Sequence, residues 1–215
     1  MMDILRYHWY DLGVISGIVM IRYYRANYRT LSMPQKYLIA NFIALLVHQF
    51  EEYRFPGGFP NVMNTAVHNS ATPDRYPLNA DSAMWTNVLS TYGFYLPVIF
   101  FPEVAWFGLA SVLFGFAQIG IHAILMNMKL GAIYNPGLTS VVLGFVPIGM
   151  KYIRYMQEHG LLSTRDWVLG FIGAGSVGYL LLLKCTFGWL PDHNTPYPFT
   201  PSEMTRWGAR LAGLA

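Results

Sequence analysis

The stretch from His48 to Glu52 carries an imidazole and two carboxylates at the end of a long apolar segment. In a helix, His48, Glu51 and Glu52 stand at positions i, i+3 and i+4, so their side chains project from one face. Such a group is costly where an apolar helix meets water unless it binds something, and a divalent metal is the usual partner. The alternative is a helix end at which Glu51 and Glu52 face water and His48 is buried and hydrogen-bonded.

Further side chains of the same kind occur in two later segments. Asn64 and His68 stand four residues apart in the connection after the second apolar segment, and Gln118 and His122 stand four apart near the end of the fourth. If the apolar segments cross a membrane in alternation, all of these residues lie on the same side as the first group. We therefore predict one shared site, with metal ligands at His48, Glu51, Glu52, His68 and His122, and with orienting residues at Asn64, Gln118 and Asn127.

The chemistry of this set is left open by the spacing. Imidazole and carboxylate ligands suit iron or zinc, and the set is large enough for one ion or two. Iron would favour oxidative chemistry, whereas zinc would activate water for hydrolysis with a glutamate as base. A site without metal is a further alternative, in which a glutamate with a pKa raised by apolar surroundings moves protons with His48 as its partner.

The composition is typical of an integral membrane protein. The 215 residues are 54% hydrophobic and only 12% charged, against about 25% charged in soluble domains. The mean hydropathy is +0.33. A net charge of +3 with scattered basic residues makes nucleic acid an unexpected partner. The single cysteine, Cys185, excludes an internal disulfide and a cysteine-based zinc site.

The sequence predicts an all-α, polytopic transmembrane bundle of about six spans, since a crossing helix needs about 20 mostly apolar residues. The first span is the weakest, and five spans result if it only lies on the surface. Gly170, Ala174 and Gly178 recur every four residues in the sixth, a pattern of close helix packing in membranes. The six candidates are 7–24, 37–51, 87–101, 104–126, 138–156 and 167–184.

The distribution of basic residues predicts the orientation of this bundle. The first connection carries Arg22, Arg25, Arg29 and Lys36, which favours a cytoplasmic location for it and a non-cytoplasmic one for the site. After the bundle, residues 1–190, a tail follows at 191–215. Thr200 with Glu203 predicts the start of a helix, and an apolar face there predicts an amphipathic helix on the membrane surface, formed by Met204, Trp207, Leu211 and Leu214.

Two blocks of the sequence resemble a known family. His48 to Tyr53 followed by Phe55-Pro56-Gly57-Gly58-Phe59-Pro60, and His122 with the later run from Tyr134 to Thr139, are similar to the HXXEE-domain integral membrane proteins. The resemblance covers about residues 37–150. It implies an intramembrane site around His48, Glu51 and Glu52, and it implies no particular substrate.

Taken together, these patterns predict a membrane-embedded, metal-dependent enzyme that acts on a small lipophilic molecule, either an oxidoreductase or a hydrolase. Glu51, Glu52 and His48 are the expected catalytic residues, and the loop Phe55–Pro60 is the expected lid. The expected partners are the lipid bilayer, the lipophilic molecule and, in the alternative function, other membrane subunits to which this chain is a non-catalytic accessory or assembly subunit. An ion-coupled carrier is disfavoured because the two halves show no inverted repeat.

Overall fold

The computed structural model describes residues 2–207, and this part of the chain is helical without any strand. Several of the long helices contain wider, π-helical turns, which frequently accompany functional sites. Two short helices, α3 (59–67) and α8 (Pro201–Thr205), complete the set. The six long helices are α1 (Met2–Ala26), α2 (Met33–Tyr53), α4 (80–98), α5 (Ala105–Leu130), α6 (138–158) and α7 (Thr164–Trp189).

Each of the six predicted spans overlaps one of the long helices, although the third runs to residue 101 and α4 ends at 98. The six-span bundle is supported only in part. By length and composition, α5 and α7 are the two helices in the described region that are long and apolar enough to cross a membrane. The other four carry more polar and charged side chains. In α2, for example, Asn41, His48 and Gln49 are buried along the helix and lower its apolar character.

One helix begins earlier than the sequence indicated. We expected the third span to begin at residue 87, but α4 starts at Ala80. The Asn79 side chain accepts a hydrogen bond from the backbone of Ser82, whose hydroxyl receives the backbone N–H of Asn79 in return. This reciprocal capping satisfies two backbone groups at the helix start, and it uses an Asn-Ser pair that we had assigned to the loop.

The glycine stripe of α7 packs inside the protein. A Cβ atom on Gly170 would approach the side chain of Leu109 to 2.9 Å, and one on Gly173 would approach the Cβ atom of Ala110 to 3.0 Å. Both neighbours lie on α5. The small residues therefore let the two most apolar helices approach closely, as the sequence predicted, and this stripe is not available as a docking surface.

The predicted interfacial helix in the tail is wrong in its extent. α8 begins at the expected cap but ends at Thr205, and Trp207 adopts a left-handed backbone with φ +67°. Met204 and Trp207 consequently do not share a continuous helical face. Leu211 and Leu214 lie outside the described residues.

Residues 204–207 of the tail pack against the loop that follows α2. Asn61 donates hydrogen bonds to the carbonyl oxygens of Met204 and Arg206, at 2.5 and 3.1 Å, and the Arg206 guanidinium donates to the carbonyl of Tyr53 at 3.0 Å. A side chain at Gly57 or Gly58 would collide with this segment. The glycine pair after α2 thus makes room for the tail, which holds the loop in place.

Candidate metal centre

Three buried side chains from two helices converge at one end of the bundle. The Nε2 atoms of His48 and His122 lie 3.6 and 3.4 Å from Oε1 of Glu52, and the imidazole centroids are 4.8 Å apart. His48 and Glu52 stand one turn apart on α2, and His122 comes from a π-helical turn of α5. Each of the three is at least 95% buried, so the structure brings together the second and fourth predicted spans as the sequence required.

The orientation of His48 is set by acceptors on the far side of its ring. Its Nδ1 lies 3.0 Å from the Ser140 hydroxyl and 3.2 Å from the Gly137 carbonyl oxygen. The Ser140 hydroxyl itself donates to Glu51 at 2.6 Å, so towards His48 it can only accept. The Nδ1 atom therefore carries the proton, and the Nε2 lone pair points at Glu52.

The orientation of His122 is set in the same way by Asn135, which was not among the predicted site residues. His122 Nδ1 lies 2.7 Å from the amide oxygen of Asn135. The Asn135 nitrogen donates to the backbone carbonyl of His122 at 2.6 Å and to the side-chain oxygen of Asn127 at 2.7 Å, which fixes the orientation of the amide. His122 Nδ1 is then the donor, and Nε2 carries a lone pair.

The result is a buried set of lone pairs that face one another. Among the described residues, the buried Nε2 of His122 has no hydrogen-bond partner, and no lysine or arginine forms an ion pair with Glu52. A buried carboxylate that faces two imidazole lone pairs is unfavourable unless a cation or proton lies among them. Histidines that ligate metals typically donate their other ring N–H to a carbonyl or carboxylate, as both histidines do here.

The separations between these atoms also fit a metal ion. A tetrahedral ion with bonds of about 2.1 Å places its ligand atoms about 3.4 Å apart, close to the two distances from Glu52. All three ligand atoms lie within 4.8 Å of one another. Two imidazoles and one carboxylate leave coordination positions open, which is typical of catalytic sites.

Glu51 is not part of this group, although it was predicted as a ligand. Its carboxylate turns towards the start of α6, where it accepts hydrogen bonds from the backbone N–H groups of Thr139 and Ser140 at 3.0 and 2.8 Å. The hydroxyls of Ser140 and Tyr134 donate to it as well, at 2.6 and 3.1 Å. A carboxylate at a helix N-terminus satisfies unpaired N–H groups and interacts favourably with the helix dipole.

Burial raises the pKa of Tyr134 to about 12, and the adjacent Glu51 carboxylate adds to the effect. The Tyr134 hydroxyl is therefore protonated throughout the neutral range and remains a donor to Glu51. Glu51, Ser140 and His48 together form a hydrogen-bonded connection from the helix start to the back of the imidazole ring.

Gly137 closes the site between the two histidines. Its backbone has φ +105°, and a Cβ atom there would lie 2.9 Å from Cε1 of His48 and 2.8 Å from Nδ1 of His122. Only glycine combines this left-handed conformation with such close ring contacts. Asn135, Gly137 and Ser140 were missed as site residues, although the first two lie in a block that resembles the family and an amide before a helix start was an available signal.

Two other residues that were predicted for the site lie away from the three converging side chains. His68, predicted as a ligand, is exposed and packs against Phe187 at a centroid distance of 4.9 Å, with its pKa lowered by partial burial. Asn64, predicted to orient the ligands, instead bonds to the backbone of Pro73 and Leu78. Asn64 is used to hold the loop that follows α3, whereas His68, just past the end of α3, packs against α7.

Gln118 and Asn127, which were predicted to orient the ligands, lie nearer to the three converging side chains. Gln118 is buried one turn before His122 but forms no hydrogen bond with the three converging side chains. Asn127 acts at one remove, because it accepts a hydrogen bond from Asn135, which in turn holds the imidazole of His122.

A family model covers the part of the chain that contains this candidate centre. The family model described as "protein of unknown function with HXXEE motif" matches residues 39–152, more than half of the chain. The chain belongs to the HXXEE family. The matched region contains His48, Glu51, Glu52, His122 and Asn135, and hence every residue that forms or braces the centre. No curated protein and no solved structure matches this HXXEE protein.

Proposed function

We propose that this HXXEE protein is a membrane-embedded metalloenzyme in which His48, Glu52 and His122 hold one divalent ion. The observation that carries the proposal is the buried Nε2 atom of His122, which has no partner and faces Glu52. Since both histidines are held with their Nδ1 protons pointing away, the lone pairs converge on one point. A single ion is proposed because Glu51, the remaining carboxylate of the motif, is occupied at the start of α6.

Iron and zinc both suit this set of ligands. Zinc in this position would supply Lewis-acid catalysis, and iron would supply redox chemistry, so the reaction is proposed as either hydrolysis or oxidation. The protein contributes a dry, rigid pocket. Ser140 and Asn135 hold the two imidazoles from behind, and the near-complete burial of the three ligands strengthens electrostatic interactions within the site.

The outer surface supports insertion in a membrane and a lipophilic substrate. Large apolar side chains are exposed on α1, α6 and α7, including Ile15, Val19, Leu143, Phe171 and Leu183. Exposed apolar surface of this extent marks contact with lipid or with partners. The basic connection between α1 and α2 lies at the opposite end of α2 from His48, which supports a site towards the non-cytoplasmic face.

The test is the metal content of the purified, full-length protein together with two histidine variants. We expect about one iron or zinc per chain, and we expect His122→Gln to lose it because the substitution removes a ligand within the centre. The matched control is His68→Gln, which alters a histidine of the same predicted set that lies outside the centre and should retain the metal.

Two results would contradict the proposal. One is a folded parent protein that neither contains nor binds iron or zinc after dialysis against each metal, which would favour the proton-transfer alternative. The other is equal metal loss in both variants, which would place the ion elsewhere. Purification with stoichiometric partner chains and without metal would favour the accessory-subunit function.

A further inference from the structure

We propose that the α2/α6 groove, a cleft on the outer face of the bundle, binds a molecule with one apolar chain and an uncharged hydroxyl end. The proposal does not depend on the metal, because none of the three metal-binding side chains lines the groove. The lining residues are Ala40, Ile43, Ala44, Val47, Phe50 and Glu51 from α2, Phe55 and Pro56 from the loop, Tyr134, and Thr139, Ser140, Leu143, Gly144 and Ile148 from the start of α6.

The groove has the size and shape of a binding site. Its volume is about 620 Å³, within the range of small-molecule pockets. It follows one face of α2 from Ala40 to Glu51, about 16 Å at 1.5 Å per residue. Small side chains line its middle, where a Cβ atom on Gly144 would lie 3.3 Å from that of Ala44.

The sides of the groove are apolar and open laterally. Val47 is 54% exposed and Leu143 is 72% exposed. An apolar chain in the groove would cover these side chains. If α2 and α6 lie in a bilayer, the occupant enters sideways from the lipid.

Polar groups occur at only one end of the groove, and their hydrogen bonds define the end group of the occupant. The Glu51 carboxylate already receives four donors, from Tyr134, Thr139 and Ser140. Tyr134 donates its proton to Glu51, so its oxygen remains an acceptor for a further group. A hydroxyl on the occupant can donate to this oxygen.

Charge excludes the most abundant lipid end groups. No lysine, arginine or histidine is among the lining residues, and the one charged group at the polar end is the Glu51 carboxylate. A carboxylate or phosphate brought there would face a like charge at close range without a counter-ion. An uncharged hydroxyl meets no such repulsion, which is why we commit to a long-chain alcohol or a comparable neutral molecule.

The experiment is photo-crosslinking of the purified full-length protein with a long-chain alcohol that carries a terminal diazirine. The carboxylic acid of the same chain length is the comparison probe. Labelled peptides are mapped by mass spectrometry, both with the metal present and after treatment with a chelator. We expect the alcohol to label α2 and α6 peptides in both conditions, several-fold more than the acid.

Two variants with matched exposure test the location. Val47→Trp fills the groove and should reduce labelling of α2 and α6 at least about fivefold, the effect of about 1 kcal/mol at 25 °C. Val168→Trp alters a valine of almost the same exposure, 53%, on the outer face of α7, and should leave the labelling unchanged. Tyr134→Phe should reduce the preference for the alcohol over the acid, because it removes the acceptor oxygen.

Labelling spread evenly over exposed apolar peptides, including those of α7, would overturn the proposal, as would equal reductions by the two tryptophan variants. Equal labelling by the alcohol and the acid would overturn the assignment of the end group. Because the chelator-treated protein is included, loss of the metal and loss of lipid binding are measured separately.

Discussion

The two adjacent glutamates of the motif should respond to the same substitution in opposite ways. Glu52→Gln and Glu51→Gln both keep the side-chain volume and remove one negative charge. Glu52 lies with His48 and His122 in the candidate metal centre, whereas Glu51 is hydrogen-bonded at the start of α6. We therefore expect Glu52→Gln to reduce metal affinity with little effect on the stability of the metal-free protein, and Glu51→Gln to do the reverse.

The size of each effect follows from the hydrogen bonds. Glu52→Gln removes a ligand, for which a loss of at least about 100-fold in metal affinity is expected, since even the residues that support ligands account for about 10–100-fold. In the metal-free protein the new amide can donate to the unpaired Nε2 of His122, 3.4 Å from the present Oε1. One net hydrogen bond contributes about 1 kcal/mol, so the free energy of unfolding should be unchanged or slightly raised.

Glu51→Gln replaces one carboxylate oxygen by an NH₂ group, which cannot accept the hydrogen bonds that Tyr134, Thr139 and Ser140 now donate to that carboxylate. If that group faces Ser140, the hydroxyl of Ser140 can turn to the Gly137 carbonyl at 2.9 Å, but its backbone N–H has no alternative. An unsatisfied buried N–H costs about 1–3 kcal/mol, and the lost charge at the helix N-terminus adds about 0.3–1 kcal/mol. A decrease of about 1–4 kcal/mol in the free energy of unfolding follows.

The assay combines denaturant unfolding of the metal-free protein in detergent with metal titration by calorimetry, for the parent and both variants. The expected result is that Glu52→Gln changes mainly the metal affinity and Glu51→Gln changes mainly the free energy of unfolding. The reasoning would be refuted if Glu51→Gln abolished metal binding at unchanged stability while Glu52→Gln bound metal normally.

Three further predictions concern the surroundings of the centre. Asn135→Ala should weaken metal binding about 10–100-fold, because it releases the His122 ring without touching a ligand, and Asn127→Ala should have a smaller effect in the same titration. Gly137→Ala should lower the free energy of unfolding by more than about 2 kcal/mol through backbone strain and contact with both rings. Gly160→Ala, also at positive φ but with no described atom within 4 Å of the new methyl, should cost about 1 kcal/mol. A chelator should lower the melting temperature of the parent protein, and addition of metal should restore it; no change in melting temperature would argue against a bound ion.

The helical segments could be read from the sequence because they depend on local chemistry. Apolar runs, prolines and capping residues predicted six long helices and the start of the tail helix, and each of these lies where a helix occurs. The start of α4 was missed because Asn79 and Ser82 cap it inside what resembles a loop. The number of membrane crossings stays a prediction for four helices, since their polar residues obscure the hydropathy signal.

The sequence alone predicted, from helix period and alternation of spans, that His48, Glu51, Glu52 and His122 lie at one end of the bundle, and His48, Glu52 and His122 do converge in the structure. It could not distinguish Glu51 from Glu52. Successive residues of a helix point about 100° apart, so both glutamates flank the direction of His48 and either could face the metal. Only the packing of α5 and α6 against α2 decided the matter: one glutamate meets the second histidine, and the other meets the free N–H groups of a helix start.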